Sequence, residues 1–272
     1  MRTAKHCMPV WVVVIAIFLG APAWAEDEKL PDKFMVRLGG YHVRNAENIA
    51  RLDSNNFPVG AYIDFNETLG GDSSATVARL DGLYRFNDKH GLGFAWYSLK
   101  FTGSRALSKD INWDGLPTIT FGTQVDSEIK FDVYKLNYQY SVFHNEKAEL
   151  GALFGFHIMK TFVGINASGI GESKSTAVTA PLPVFGLYAD YHFTPRFSVY
   201  YNYQAFSIDY DNKVKGSLQD FLFGLEYRLF RNVAAGAAYN RFNMSLELKK
   251  SDYTMNMNSG WNGLMLYGAV YF

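Results

Sequence analysis

Cysteine is almost absent from this sequence of 272 residues, which contains one, Cys7. It lies in an N-terminal segment that has two basic residues near its start, Arg2 and Lys5. The apolar run Trp11–Leu19 and the small-residue site Ala23–Ala25 follow. This order is typical of a secretory signal peptide, with cleavage after Ala25. A retained membrane anchor is the alternative, but the run is well short of the roughly 20 apolar residues that a spanning helix needs. Cleavage would leave a chain without cysteine, which excludes disulfides and thiolate chemistry.

An excess of charge of either sign is also missing. The sequence has 26 basic and 26 acidic residues, and residues 1–25 include two of the basic ones and none of the acidic ones. The remaining chain therefore has a net charge near −2, which gives no basic field for a nucleic acid. No second apolar run reaches helix-spanning length, which excludes a helical inner-membrane protein.

Aromatic residues and glycine are abundant, with 22 Phe, 18 Tyr, 5 Trp and 24 Gly. From Phe34 onward, segments of about ten or more residues alternate apolar and polar side chains, which is typical of transmembrane β-strands. The clearest is Asp132–Phe143, where Tyr134, Leu136 and Tyr138 alternate with polar residues. This pattern predicts an all-β fold, a transmembrane antiparallel up-and-down β-barrel. A soluble secreted β-sandwich, which would bury the same apolar face, is the alternative.

The predicted connections fall into two classes. Four are tight turns, at Asn87–His90, His144–Lys147, Thr194–Arg196 and Arg231–Asn232. Five are longer and polar, at Arg44–Ser74, Ser104–Ser127, Asn166–Thr179, Asp211–Gly216 and Lys249–Asn258. Bacterial barrels keep short turns in the periplasm and long loops outside, so the alternation predicts about ten strands with both termini in the periplasm. Eight or twelve strands are alternatives; Arg44–Ser74, taken as a hairpin extending beyond the membrane, would add two strands if it crossed.

The last strand, Trp261–Phe272, ends in an aromatic residue. Its outward face, Leu264, Leu266, Val270 and Phe272, resembles the C-terminal signature by which the outer-membrane assembly machinery recognises its clients, although Gly268 departs from that pattern.

The whole chain after the signal resembles the superfamily of small outer-membrane barrels that includes the OmpA transmembrane domain and the OmpW-like proteins. Two stretches carry this resemblance: Gly60–Phe65 running into Leu69-Gly70, and Arg79–Phe86. It implies a single barrel domain over residues 26–272 in the bacterial outer membrane, in contact with membrane lipids and lipopolysaccharide. We expect a monomer. A shared fold says little about activity.

If the polar faces point inward, the barrel lumen contains many ionisable residues. The basic ones are Arg37, Arg79, Arg85, Lys135 and Arg228, the acidic ones are Asp81, Asp190, Asp220 and Glu226, and two histidines, His157 and His192, share the same faces. Side chains can fill a barrel of this size, and an unpaired buried charge costs several kcal/mol. The near balance of charge therefore predicts an internal salt-bridge network. The alternative is a narrow polar conduit.

The sequence contains no recognisable catalytic or metal-binding motif. Asp190-Tyr191-His192 shares an Asp-x-His spacing with the omptin proteases, but it precedes a periplasmic turn and has no evident partner aspartate pair. The five histidines after the signal are dispersed and form no Ser-His or metal-ligand pattern, at His42, His90, His144, His157 and His192. We therefore expect no metal, no cofactor and no enzymatic activity.

The first outer loop contains several acidic residues, namely Asp53, Asp64, Glu67 and Asp72. They fit either an adhesin or receptor surface or an ordinary solvated loop, and the second reading is favoured because loops tolerate variable polar composition. Three functions remain, in this order: a structural or interaction barrel with a filled lumen, a narrow channel for small and possibly hydrophobic solutes, and a lipid-modifying enzyme.

Overall fold

A computed structural model describes residues 33–54, 61–108, 110, 120–167, 172–210, 213–249 and 253–272. The predicted signal peptide, residues 1–25, lies outside the described residues. Within these ranges, no helix is long and apolar enough to cross a membrane.

The described chain is almost entirely β-strand. Its elements are β1 (Phe34–Ser54), β2 (Ala61–Asp64), α1 (Phe65–Leu69), β3 (Ala75–Arg85), β4 (His90–Ala106), β5 (Gln124–His144), β6 (Ala148–Ala167), β7 (Glu172–His192), β8 (Phe197–Tyr210), β9 (Val214–Phe230), β10 (Val233–Lys249) and β11 (Tyr253–Tyr271).

The sheet closes into a barrel because β1 pairs with β11 as well as with β3. The β1–β11 pairing extends from Met35 opposite Tyr271 to Ser54 opposite Tyr253, with one irregularity after Arg44. The other wall strands pair antiparallel with their neighbours along the chain. The prediction of a ten-stranded antiparallel barrel is confirmed, and the β-sandwich alternative is wrong.

The short strand β2 adds no membrane crossing. It pairs with the outer end of β1, where Ala61–Asp64 lies opposite residues 49–52, while β3 pairs with β1 from Val43 downward. The described residues of segment 44–74, namely 44–54 and 61–74, therefore extend the wall at one end only, and the count remains ten rather than eight or twelve.

Tight turns connect the strands at one end of the barrel, which is the periplasmic end by the rule for bacterial barrels. Two of them are stabilised by an asparagine side chain that accepts backbone N–H bonds: Asn87 from Lys89 and His90 (both 3.0 Å), and Asn145 from Lys147 and Ala148 (2.9 and 2.7 Å). This is the usual reason for asparagine in a turn.

The opposite end differs from the sequence prediction. Stretches predicted as long loops are largely strand: β6 continues to Ala167 and β7 begins at Glu172, and β11 begins at Tyr253. The physical reason is that these stretches keep the two-residue period of a strand while their apolar residues change face.

Strand β5 shows this change of face most clearly. From Tyr134 to Val142 the outward residues are apolar and the inward residues, Lys135 to Ser141, are polar. From Gln124 to Val133 the outward residues are polar or charged, whereas Val125, Ile129, Phe131 and Val133 point inward and are buried. The apolar side chains move from one face to the other within a single residue step.

Neighbouring strands change face at the same level. Trp96, Tyr134 and Ile158 form the last apolar outward row on β4, β5 and β6, and Ser98, Asp132 and Lys160 form the first polar row above it. We call the part below this boundary the membrane half and the part above it the outer half. The outer half of β5 has about ten residues, so it rises about 25 Å above the membrane at the usual strand tilt.

The outer half contains the apolar core. Trp261 stacks on Phe242 with ring centroids 4.3 Å apart and contacts Phe131 at 5.5 Å. Helix α1 packs against β1, β2 and β4 and buries Phe65 and Leu69.

The position of helix α1 is fixed at both of its ends. At its N-terminus the Asp64 carboxylate accepts the backbone N–H groups of Asn66 and Glu67 (both 2.9 Å). At its C-terminus Gly70 adopts a positive φ of 65°, a conformation that glycine takes without strain. Asp64 is therefore a helix cap in the structure rather than a solvated loop charge.

Candidate functional site

The candidate site is the polar interior of the membrane half. The residues predicted from the sequence lie there on six strands, β1, β3, β5, β6, β7 and β9. Three clusters account for most of these residues. We call these the central, seam and rim clusters.

The central cluster joins β3, β5, β9 and β10. Arg79 contacts the Asp81 carboxylate with two donors, from Nε at 3.0 Å and from Nη2 at 2.9 Å, and a third donor reaches Asn240 Oδ1 at 3.2 Å. Asn240 in turn donates to Asp220 at 2.7 Å, and Lys135 forms an ion pair with the same carboxylate. Lys135 and Asp220 are both buried, so each neutralises a charge that would otherwise be costly.

His157 lies beside this cluster and is fully buried. Its Nε2 is 2.8 Å from Gln204 Oε1 and 3.8 Å from Asp220 Oδ2. Because the amide oxygen can only accept, Nε2 carries the proton and the ring donates to Gln204. This bond fixes the orientation of the ring.

The seam cluster lies where the barrel closes. Arg37 of β1 pairs with Glu226 of β9 at 2.9 Å, and its guanidinium lies 4.0 Å from the ring centre of Tyr200. Glu226 also accepts hydrogen bonds from Tyr267 (3.0 Å) and Tyr271 of β11. Both edges of the β1–β11 seam thus contact one carboxylate.

The rim cluster lies nearest the periplasm. Arg85 makes a two-pronged ion pair with Glu149, at 2.9 and 2.6 Å, and Tyr188 donates to the same carboxylate at 2.9 Å. Arg228 lies over the Tyr271 ring at 4.2 Å and donates to the Arg231 carbonyl.

Glu149 is absent from the sequence-based list of lumen residues. It shares the parity of Gly151, Gly155 and His157 on β6, and that parity was the signal that could have identified it. With Glu149, the named lumen residues comprise five basic and five acidic side chains instead of five and four.

A cavity of about 170 Å³ connects the rim and seam clusters. Asp190 and His192 line it, and it extends from the turn at residues 144–146 to Lys135 and Asp220. The Asp-x-His pair is thus at the periplasmic end, as the sequence analysis placed it. Above the central cluster, Tyr41 and Tyr97 flank Arg79, and the apolar core begins.

His42 lies on the outside of the wall, away from the lumen. Within the described ranges, it makes the one hydrogen bond between a histidine and a threonine hydroxyl. Its Nε2 accepts from Arg44 Nε at 2.9 Å, so Nδ1 carries the proton and donates to Thr76 Oγ1 at 2.7 Å. A histidine that activates a hydroxyl nucleophile must accept its proton, and this arrangement has the opposite polarity.

Metal ligation has no candidate in this part of the chain. Among the described residues, no group of three or more His, Cys, Asp or Glu side chains is placed to hold a metal ion.

The C-terminal face lies on the outside of the wall. Leu264, Leu266 and Phe272 are among the most exposed large apolar side chains, and Val270 shares their face. They belong to the lipid-facing belt of the membrane half.

One solved outer-membrane protein shares this fold, and two others are more distantly similar. The outer membrane protease OmpT from Escherichia coli has a TM-score of 0.53 at 12% identity, over 91% of this chain and 99% of that chain. OprG from Pseudomonas aeruginosa has a TM-score of 0.36 at 12% identity, over 90% and 98%. Ail from Yersinia pestis has a TM-score of 0.33 at 14% identity, over 89% and 99%. No family model and no curated protein matches the chain. The likeness to OmpT shows the fold alone.

Proposed function

We propose that this bacterial outer-membrane β-barrel is a structural or interaction barrel whose lumen is closed to solutes. The observation that carries the proposal is the apolar stack of Trp261, Phe242 and Phe131 directly above the paired charges of the central cluster. A solute crossing the barrel would have to displace both layers.

Each layer resists displacement for its own reason. Separating Lys135 from Asp220 would leave a buried charge uncompensated, which costs about 3–5 kcal/mol. Opening the aromatic stack would expose large apolar side chains to water.

A narrow channel is the second candidate, and the cavity favours it for the periplasmic part of the path only. Conductance of the purified barrel in planar bilayers distinguishes the two. We expect no stable openings from the unaltered protein. The variant Phe242→Ala/Trp261→Ala is the matched comparison, because it removes the stack and leaves the charged clusters intact. Stable single-channel steps from the unaltered protein would exclude the closed barrel.

A lipid-modifying activity is the third candidate. The hydrogen-bond polarity at His42 and Thr76 argues against it, because the ring donates to the hydroxyl instead of accepting from it. Mass spectra of lipid A from cells with and without the protein test this directly. We expect identical spectra, and a new acylation or deacylation product would establish an enzyme.

An interaction role fits the shape of the molecule. Strands β4, β5, β6 and β7 stay paired with one another through the outer half and hold their outer ends about 25 Å above the membrane. We propose that the protein is a monomer surrounded by outer-membrane lipids and lipopolysaccharide. We also propose that the assembly machinery recognises the outward face of β11, at Leu264, Leu266, Val270 and Phe272.

A further inference from the structure

Two arginines face outward at the lower edge of the outer half, on the wall formed by β10, β11 and β1. Arg241 of β10 and Arg44 of β1 are the register partners of the same residue, Asn262 of β11. One strand separates them, so their Cα atoms are about 10 Å apart. Both arginines are exposed, and the Asn262 side chain accepts a hydrogen bond from Tyr239 at 2.9 Å, which orients its amide.

Neither arginine is paired with a carboxylate anywhere in the part of the chain that the structure describes. Arg44 donates to His42, and Glu47, further along β1, forms no ion pair with either arginine within those ranges. An exposed surface arginine does not need a partner, but two that flank one amide form a positively charged patch.

The wall on β4, β5 and β6 differs at the same height. Two of its lysines are paired within the protein: Lys100 with Glu128 at 2.8 Å and Lys130 with Asp132 at 3.0 Å. Its third lysine at this height, Lys160, is the register partner of Asp132. Cations and carboxylates therefore lie side by side on that wall, whereas the two arginines on the β10–β11–β1 wall have no carboxylate partner among the described residues.

The residues directly below the arginines are those of the lipid-facing belt. Leu264 and Tyr239 form the next row down, Leu266 the row after it, and all three are exposed. A ligand that occupies this wall must therefore combine acyl chains with an anionic group immediately above them.

We propose that Arg44, Arg241 and Asn262 bind a phosphate of lipid A, the membrane anchor of lipopolysaccharide. Lipid A carries phosphates on the same sugars from which its acyl chains enter the bilayer, so its charge and its apolar part have the spacing of this wall. Arginine matches phosphate with parallel N–H donors, and charge-assisted bonds of this kind are the strong ones. The inference deepens the proposed function by naming a lipid site, and it depends on that proposal only for the choice of lipopolysaccharide as surrounding lipid.

The test is binding of lipid A to the purified full barrel in detergent, measured by native mass spectrometry with diphosphorylated and dephosphorylated lipid A as probes. We expect the unaltered protein to retain the diphosphorylated form, and Arg44→Ala/Arg241→Ala to weaken its binding about tenfold or more. The matched control is Lys100→Ala/Lys160→Ala on the opposite wall, which removes two exposed cations and should leave binding unchanged. Equal loss in both variants, or equal retention of the dephosphorylated lipid, would overturn the site.

Two further measurements keep the outcomes separate. The slower gel migration of the heated barrel reports whether each variant is folded. Arg44→Lys/Arg241→Lys keeps the charge without the paired donors, so its affinity for lipid A should lie between those of the unaltered protein and the alanine variant. Phosphatidylglycerol is the competitor, and equally tight binding of that lipid would exclude the assignment to lipid A. Bilayer conductance of the unaltered barrel tests the closed lumen independently, so failure of one proposal leaves the other standing.

Discussion

The strands that run through both the membrane half and the outer half of this barrel have opposite patterning in the two halves, as β5 shows. Below the boundary, charged side chains such as Lys135 face inward and apolar ones such as Leu136 face lipid. Above it, Phe131 faces inward and Lys130 faces water. Between β4, β5 and β6 the backbone hydrogen bonds continue unchanged through the boundary. The medium outside the wall, lipid or water, therefore decides which type of side chain faces outward. Side chains of the opposite type face inward.

The two interiors are also stabilised by different interactions. The membrane half is filled by paired charges, whose geometry must be correct because an unpaired one is costly. The outer half is filled by aromatic and aliphatic side chains, as in a soluble barrel. Four comparisons test this difference. Each is measured as the free energy of unfolding by urea of the barrel in lipid vesicles.

The largest effect is expected from Asp220→Ala in the membrane half. It leaves Lys135 buried without its counter-charge and takes an acceptor from Asn240, so the cost should be about 3–5 kcal/mol. The double variant Lys135→Met/Asp220→Leu is the control, and it should recover most of the loss. A cost under about 1 kcal/mol for the single variant would mean that water reaches this pair.

Phe131→Ala in the outer half should cost about 3–4 kcal/mol, because the ring is fully buried between Phe101 and Trp261. Tyr134→Ala, three residues along and facing lipid, is the comparison and should cost less. Equal costs would show that the outer half has no packed core of its own.

The boundary itself is tested by adding a charge on either side of it. Leu136→Arg places a guanidinium in the lipid-facing belt and should cost about 2–3 kcal/mol. Gln124→Arg places the same group on the outward face of the same strand in the outer half, and should change stability by about 0.5 kcal/mol or less. Similar values for the two variants would contradict the position of the boundary.

The smallest effect is expected from the exposed pair Lys100–Glu128 on the outer wall. A double-mutant cycle with alanine at each position should give a coupling of less than about 1 kcal/mol, decreasing with added salt. A coupling as large as that of Lys135 and Asp220 would mean that the outer wall is shielded from water.

Much of this fold was predictable from local pattern. The alternation around Tyr134–Val142 predicts a lipid-facing strand. The spacing of the tight turns predicts ten such strands. The long polar loops were predicted wrongly. In Gln124–Val133 the apolar residues still alternate with a period of two, but they occupy inward instead of outward positions. A strand identified by its outward apolar residues therefore ends too early in the prediction. Glu149 was missed for a similar reason. It is the second residue of β6, and only its parity with Gly151 marks it as inward.

The sequence by itself determined the barrel, its strand count and most of the charged residues that face its lumen, because each depends on spacing along one strand. Only the tertiary structure decided which residues meet: Lys135 with Asp220 and Arg37 with Glu226 inside the barrel, and Arg44 beside Arg241 around Asn262 on its outside. These partners lie up to about two hundred residues apart, and their contact depends on strand tilt and on the register of every pairing between them. No local pattern contains that information, since a shift of register leaves each strand's own alternation unchanged.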